Sequence, residues 1–105
     1  MGFSQEQIQN AAVIAKVGRS MGATTRDIQI ALAAAYTESH LVNVDYGDRD
    51  SLGLFQQRPS QGWGTPEQVT NPEYAATQFY SRLLGMGEKR YQRSMGAAAQ
   101  AIQRS

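Results

Sequence analysis

The chain has 105 residues, 41% of them hydrophobic and 18% charged, which suits one compact domain and leaves no room for two. A formal net charge of +1 exerts no strong pull toward nucleic acid or an anionic membrane. With no cysteine and one histidine, His40, disulfides, thiol catalysis, thiolate metal sites and the usual multi-histidine zinc site are all excluded.

Ser4-Gln5-Glu6-Gln7 reads as a capping box, and the helix it opens should run to about Met21. Ala11, Ile14, Val17 and Met21 would face inward, and Gln9, Lys16 and Ser20 outward, with Gly22 as the stop. Thr24 or Thr25 can cap a second helix whose first turn Asp27 would stabilise. That helix, alanine-rich from Ile28 onward, should end near Ser39 or His40.

Residues 41–64 change character, with glycines at 47, 53, 62 and 64 and acidic residues at 45, 48 and 50. A long loop with little β-structure is expected here, Leu52 to Gln57 forming a short strand or extended turn. Loops of this length in small domains are usually functional or disordered, and Leu52, Leu54, Phe55 and Trp63 argue for docking against the body. Thr65-Pro66 and Asn71-Pro72 each signal a helix start. Ala76, Phe79 and Leu83 then give a third main helix its inner face, with a stop near Gly85 or Gly87. A last alanine-rich helical segment begins at Ser94 or Met95 and still runs at Ser105, so further sequence beyond this point is expected.

Glu38 concentrates the chemistry. Ile28, Ala31, Ala35 and Glu38 follow the steps of three and four that mark one helix face. A carboxylate on an apolar stripe loses hydration, which raises its pKa, and a helix C-terminus disfavours negative charge as well. A glutamate that stays protonated near neutral pH can serve as a general acid. The structural alternative is an ordinary helix-end carboxylate paired with Arg49, Arg58 or a backbone donor.

Three stretches taken in order resemble the signature of soluble lytic transglycosylases: Glu38-Ser39-His40, Ser51-Leu52-Gly53-Leu54-Phe55-Gln56, and Pro59. In that family a helix ends in Glu-Ser and a later loop reads Gly-Leu-Met-Gln with a proline soon after. Tyr46-Gly47-Asp48-Arg49 leading into the same Gly-Leu-Phe-Gln is similar to goose-type lysozyme. The run from Asp45 to Trp63 resembles cell-wall-degrading modules of actinobacteria and their phages. The resemblance is dense over residues 28–64 and diffuse elsewhere.

This resemblance implies a mainly α (α+β) lysozyme-like fold, with a long loop or minimal β-hairpin around residues 41–64 beside an active-site cleft. It implies cleavage of peptidoglycan at the β-1,4 bond between N-acetylmuramic acid and N-acetylglucosamine. Glu38 would match the catalytic acid, Gln56 the glutamine beside it, and Asp48 an aspartate that helps place water in goose-type enzymes. The second such aspartate falls at Arg58 here, which leaves hydrolysis and anhydro-sugar formation both open.

Residue types add Ser51, Gln57, Tyr46 and Tyr91 to Gln56 as sugar-binding candidates, with Trp63 either a sugar platform or a lid over the core. For an inverting hydrolase a second carboxylate must stand roughly 6.5–9.5 Å from the acid; Asp48 is the first candidate, with Asp50 and Asp45 behind it. No metal and no cofactor is expected. The partner would be the glycan strand of the bacterial cell wall, with no nucleic acid and no membrane insertion, and the chain a monomer or one module of a longer protein. The polar N-terminus carries no apolar signal segment, so a phage lysin and a domain of a secreted protein both fit. Two other readings stay open: a peptidoglycan-binding module without turnover, and a peptidase of the stem peptides.

Overall fold

Local hydrogen bonds between near neighbours set the helix starts. The Ser4 Oγ accepts from the Gln7 N–H at 3.2 Å and the Ser4 N–H donates back to Gln7 Oε1 at 2.7 Å, and α1 spans Gln5–Ser20. It closes with the Gly22 N–H on Arg19 O and the Ala23 N–H on Gly18 O, the paired bonds of a glycine-terminated helix. Thr24 and Asp27 repeat the box, at 2.9 and 3.1 Å, and open α2, Thr25–Ser39. Thr65 caps the short α3, Pro66–Val69, and Asn71 caps α4, Pro72–Gly85. The computed structural model describes residues 2–92; the helical segment expected from Ser94 lies outside them.

The protein is mainly helical. Helices α1, α2 and α4 pack on one another, and α3 rests on α4. The core gathers Ile14 and Val17 from α1, Ile30, Ala31, Ala34 and Ala35 from α2, and Ala76, Phe79, Tyr80 and Leu83 from α4. Small residues on α2 and Gly18 on α1 permit close approach: a Cβ on Gly18 would lie 2.6 Å from the Tyr80 hydroxyl. That hydroxyl donates to Ile14 O at 2.8 Å. Among the described residues no helix is long and apolar enough to cross a membrane.

The 41–64 segment docks as its apolar residues require. Leu54 and Phe55 are fully buried and Trp63 is 2% exposed, which makes Trp63 a lid over the core and not a sugar platform. Phe55 stacks on Phe79 with ring centres 4.9 Å apart. The β-structure among the described residues is one antiparallel bridge, Leu52 to Gln57, closed by backbone bonds of 3.1 and 3.0 Å. A 3-10 turn at Pro59–Gln61 and another at Gly87–Tyr91 were not foreseen from the sequence.

Gly53 anchors this loop. Its N–H donates to Val44 O at 2.7 Å, its φ is +83°, and a Cβ would sit 2.2 Å from Val69 O. Gly53→Ala therefore combines a left-handed backbone cost with a clash against main chain that cannot rotate away. A loss of roughly 2–4 kcal/mol is expected, read as a lower midpoint in urea. An unchanged midpoint would mean that the loop is not anchored here.

Candidate functional site

Glu38 occupies the last turn of α2 and is half-buried. Burial pushes its carboxyl above the ordinary glutamate value, and no hydrogen bond or salt bridge holds it among the described residues. The core-facing stripe accounts for this: Ala31 and Ala35 are fully buried two turns and one turn earlier, so the fourth position of the stripe reaches the edge of the core.

The chain around Glu38 is held from two sides. The Ser39 hydroxyl lies 3.0 Å from Ala35 O and 2.7 Å from Leu54 O, and shares its proton between them. The helix end is thereby tied to the Gly53-Leu54-Phe55-Gln56 turn. Beyond it His40 and Leu41 are both left-handed, with φ of 56° and 63°. A helix end leaves carbonyls without partners, and two amides on one face of α1 serve the carbonyls just past this end. Gln7 Nε2 donates to His40 O and Asn10 Nδ2 to Leu41 O, each at 2.8 Å. The Glu-Ser pair and the downstream turn, eighteen residues apart from Glu38 to Gln56 in sequence, meet through Ser39.

The acidic residues of the loop divide into two kinds. Asp50 is a brace: Arg58 Nε donates to it at 2.6 Å and the Ser60 N–H at 2.8 Å. The Arg58 hydrogen bond, with Ser60 behind it, holds the carboxyl well below the usual carboxylate range, which makes Asp50 a poor base. Arg58, where the goose-type pattern has its second aspartate, thus occupies the most engaged carboxylate of the loop. Asp48 is the opposite case. Its side chain is 95% exposed, with Arg49 Nε at 3.9 Å. Asp45 and Tyr46 are also exposed on this loop.

The expected sugar-binding residues do not all converge. Ser51 is buried in the loop, its N–H on Asp48 O at 3.0 Å. Gln56 is partly exposed, but its Nε2 donates to Tyr46 O at 3.0 Å and Gly53 O at 3.3 Å. Gln57 is 1% exposed and points into the body, where its Nε2 donates to Ala75 O at 3.0 Å; a side chain sealed in this way does not line a surface groove. Gln56 closes the turn with a left-handed backbone, φ 49°, and Gln57 enters the bridge to Leu52, which separates the two side chains. Tyr91 sits at the far end of α2. Its hydroxyl donates to Asp27 Oδ1 at 2.8 Å and stands 2.6 Å from Thr24 Oγ1. Eleven residues of helix put Asp27 about 16 Å from Glu38, so Tyr91 is removed from the site.

Tyr91 belongs to a cluster that pattern reading missed. Arg90 Nε donates to the fully buried Asp27 at 2.7 Å, with Nη2 at 3.2 Å. Burial pushes this carboxyl up, but Arg90, the Thr24 N–H and Tyr91 outweigh it and hold the pKa at about 2. The one signal in the sequence is Asp27 itself, whose position in the first turn of α2 accounts for a stabilising role there and does not point to Arg90.

An apolar groove of about 470 Å³ runs between α1 and α2, lined by Phe3, Ile8, Leu32 and Tyr36 among others. Leu32 and Tyr36 lie on the side of α2 away from Glu38, so this groove is separate from the acid. Among the described residues no cluster of three or more His, Cys, Asp or Glu could hold a metal ion. Comparison with known proteins returned no match among family models, curated proteins or solved structures.

Proposed function

We propose that this chain cleaves peptidoglycan glycan strands at the β-1,4 bond after N-acetylmuramic acid, with Glu38 as acid and then base, in a lysozyme-like helical domain. The observation that carries this reading is the state of Glu38. It is half-buried, without a partner among the described residues, raised in pKa by burial, and tied through Ser39 to the turn that completes the motif. A structural carboxylate at a helix end would be expected to hold a cation or an N–H, and Glu38 holds neither among the described residues.

A glycosidic bond breaks through an oxocarbenium-like transition state, and the leaving oxygen needs a proton. Glu38 donates it as the bond from C1 to that oxygen breaks. The resulting carboxylate then takes the proton of the muramyl 6-hydroxyl, whose oxygen closes on C1 to form an anhydro ring. No water is consumed. Hydrolysis with inversion would need a second carboxylate fixed on the opposite face. Asp50 is committed to Arg58 and Ser60, and Asp48 is exposed beside Arg49 and not fixed against the body, so the anhydro route is favoured over hydrolysis.

Mass spectrometry of digested cell wall tests this directly. Anhydro-muramyl ends are expected, lighter than reducing ends by one water. Reducing ends alone would replace the anhydro route by hydrolysis. Absence of new sugar ends would overturn the proposal, in favour of a binding module, or of a peptidase if new amino groups form instead.

A further inference from the structure

Gln56 combines two features, a left-handed backbone and an amide bonded across the loop. Its backbone is left-handed, φ 49°, a region that side chains with a Cβ adopt reluctantly. From there its amide folds back across the loop, and the two Nε2 hydrogens face Tyr46 O and Gly53 O. Its Oε1 lies against Gly47, so closely that a Cβ at Gly47 would fall 1.8 Å from it and 2.7 Å from Ser51 O. Glycine at 47 is what admits the Gln56 side chain.

The loop it reaches is poorly held otherwise. Residues 45–49 are all exposed, and Arg49 is also left-handed, φ 57°. Backbone bonds fix the loop at its ends, where the Gly53 N–H meets Val44 O and the Ser51 N–H meets Asp48 O. Between those points, among the described residues, the tie is the one from Gln56 to Tyr46 O. On its other side the Gln56 turn is bonded to α2 through Leu54 O and Ser39, the residue after Glu38.

We infer that Gln56 is a positioning residue: its amide latches the Tyr46–Gly47–Asp48 segment against the turn that holds the end of α2, and it does not itself bind sugar. Both amide hydrogens are engaged and the carbonyl is turned to Gly47, so the side chain has no free donor for a ligand. The latch fixes the Tyr46–Gly47–Asp48 segment relative to the end of α2 that carries Glu38. Its kinetic consequence rests on the glycosidase reading; its structural consequence does not.

The test uses the full chain with Gln56→Asn and Gln56→Ala. Asparagine suits a left-handed backbone but is one methylene too short to reach Tyr46 O, so Gln56→Asn should fold. Trypsin cleavage after the exposed Arg49 should accelerate roughly tenfold in both variants, as expected of a loop that opens locally. With wall fragments as substrate, KM should rise several-fold while kcat stays within about twofold, the signature of lost positioning in binding. Gly47→Ala, which expels the same side chain from the other side, should reproduce the faster cleavage. Unchanged tryptic cleavage at Arg49 in the Gln56 variants would overturn the latch. A fall in kcat with unchanged cleavage would overturn it in favour of direct sugar contact. If the wild-type chain releases no glycan fragments while the variants are still cut faster at Arg49, the latch stands and the glycosidase reading falls.

Discussion

Glu38→Gln should reduce glycan cleavage by about 10²–10⁴-fold or more, the usual contribution of a positioned general acid, while the protein remains folded. The amide keeps the shape of the side chain but can neither donate nor recover the proton. Stability should move the other way. The folded-state pKa of Glu38 lies above its unfolded value, so its favourable contribution is fully present below the ordinary glutamate pKa and is lost as pH rises through the folded one. Above that point the wild type carries a half-buried charge, and the amide variant does not. The variant should therefore gain on the wild type in urea midpoint as pH is raised from 4 to 7. Measured together, lost cleavage and equal or greater stability near neutral pH separate a functional carboxylate from a structural one. Full cleavage in the variant would end the catalytic reading. A variant that unfolds more easily at pH 7 would show that Glu38 holds the helix end in place.

Asp27→Ala should be the most destabilising single change at a charged residue. It leaves Arg90, whose side chain is 14% exposed, without its carboxylate, and removes the acceptor of the Thr24 N–H and of the Tyr91 hydroxyl. Breaking a buried pair by removing one partner costs about 3–5 kcal/mol. For a domain of this size that corresponds to on the order of 15–30 °C in melting temperature. The pH dependence has the opposite sign to that of Glu38. Asp27 is held at about 2, below its unfolded value of roughly 3.9. Its contribution is present above the unfolded value and is lost as pH falls through about 2. Thermal melts from pH 6 down to pH 2 should therefore show the gap between wild type and variant closing at the acid end. A gap that stays constant to pH 2 would remove the ion pair as its cause. Because Asp27 and Glu38 stand at opposite ends of α2, a mild variant such as Asp27→Asn should lower stability with little effect on the pH profile of cleavage.

These two carboxylates show why one part of the chain could be read in advance and another could not. Helix starts rest on bonds between residues three apart, Ser4 with Gln7, Thr24 with Asp27 and Thr65 with Gln68, so the sequence contains both partners side by side. The inner faces of α1, α2 and α4 follow from the spacing of apolar residues, and Ala31, Ala35, Phe79 and Leu83 are buried as that spacing requires. The docking of Leu54 and Phe55 follows from the cost of leaving them in water. The half-burial of Glu38 follows from the same stripe.

Residue type, in contrast, does not give direction or distant partners. Gln57 and Tyr91 have the chemistry of sugar-binding residues, yet the first turns inward to Ala75 O and the second closes a network on Asp27. Arg90 and Asp27 are 63 residues apart, and nothing local announces that they will meet. The left-handed backbones of His40, Leu41 and Gln56 are likewise imposed by the packing around them. By itself the sequence determined the helices, their caps, the inner faces and the carboxylate at the rim of the core, because each rests on neighbours within a turn or on hydrophobicity alone. Only the tertiary structure decided which loop side chains are spent as braces and latches, because that depends on which carbonyls and charges the folded chain leaves within their reach.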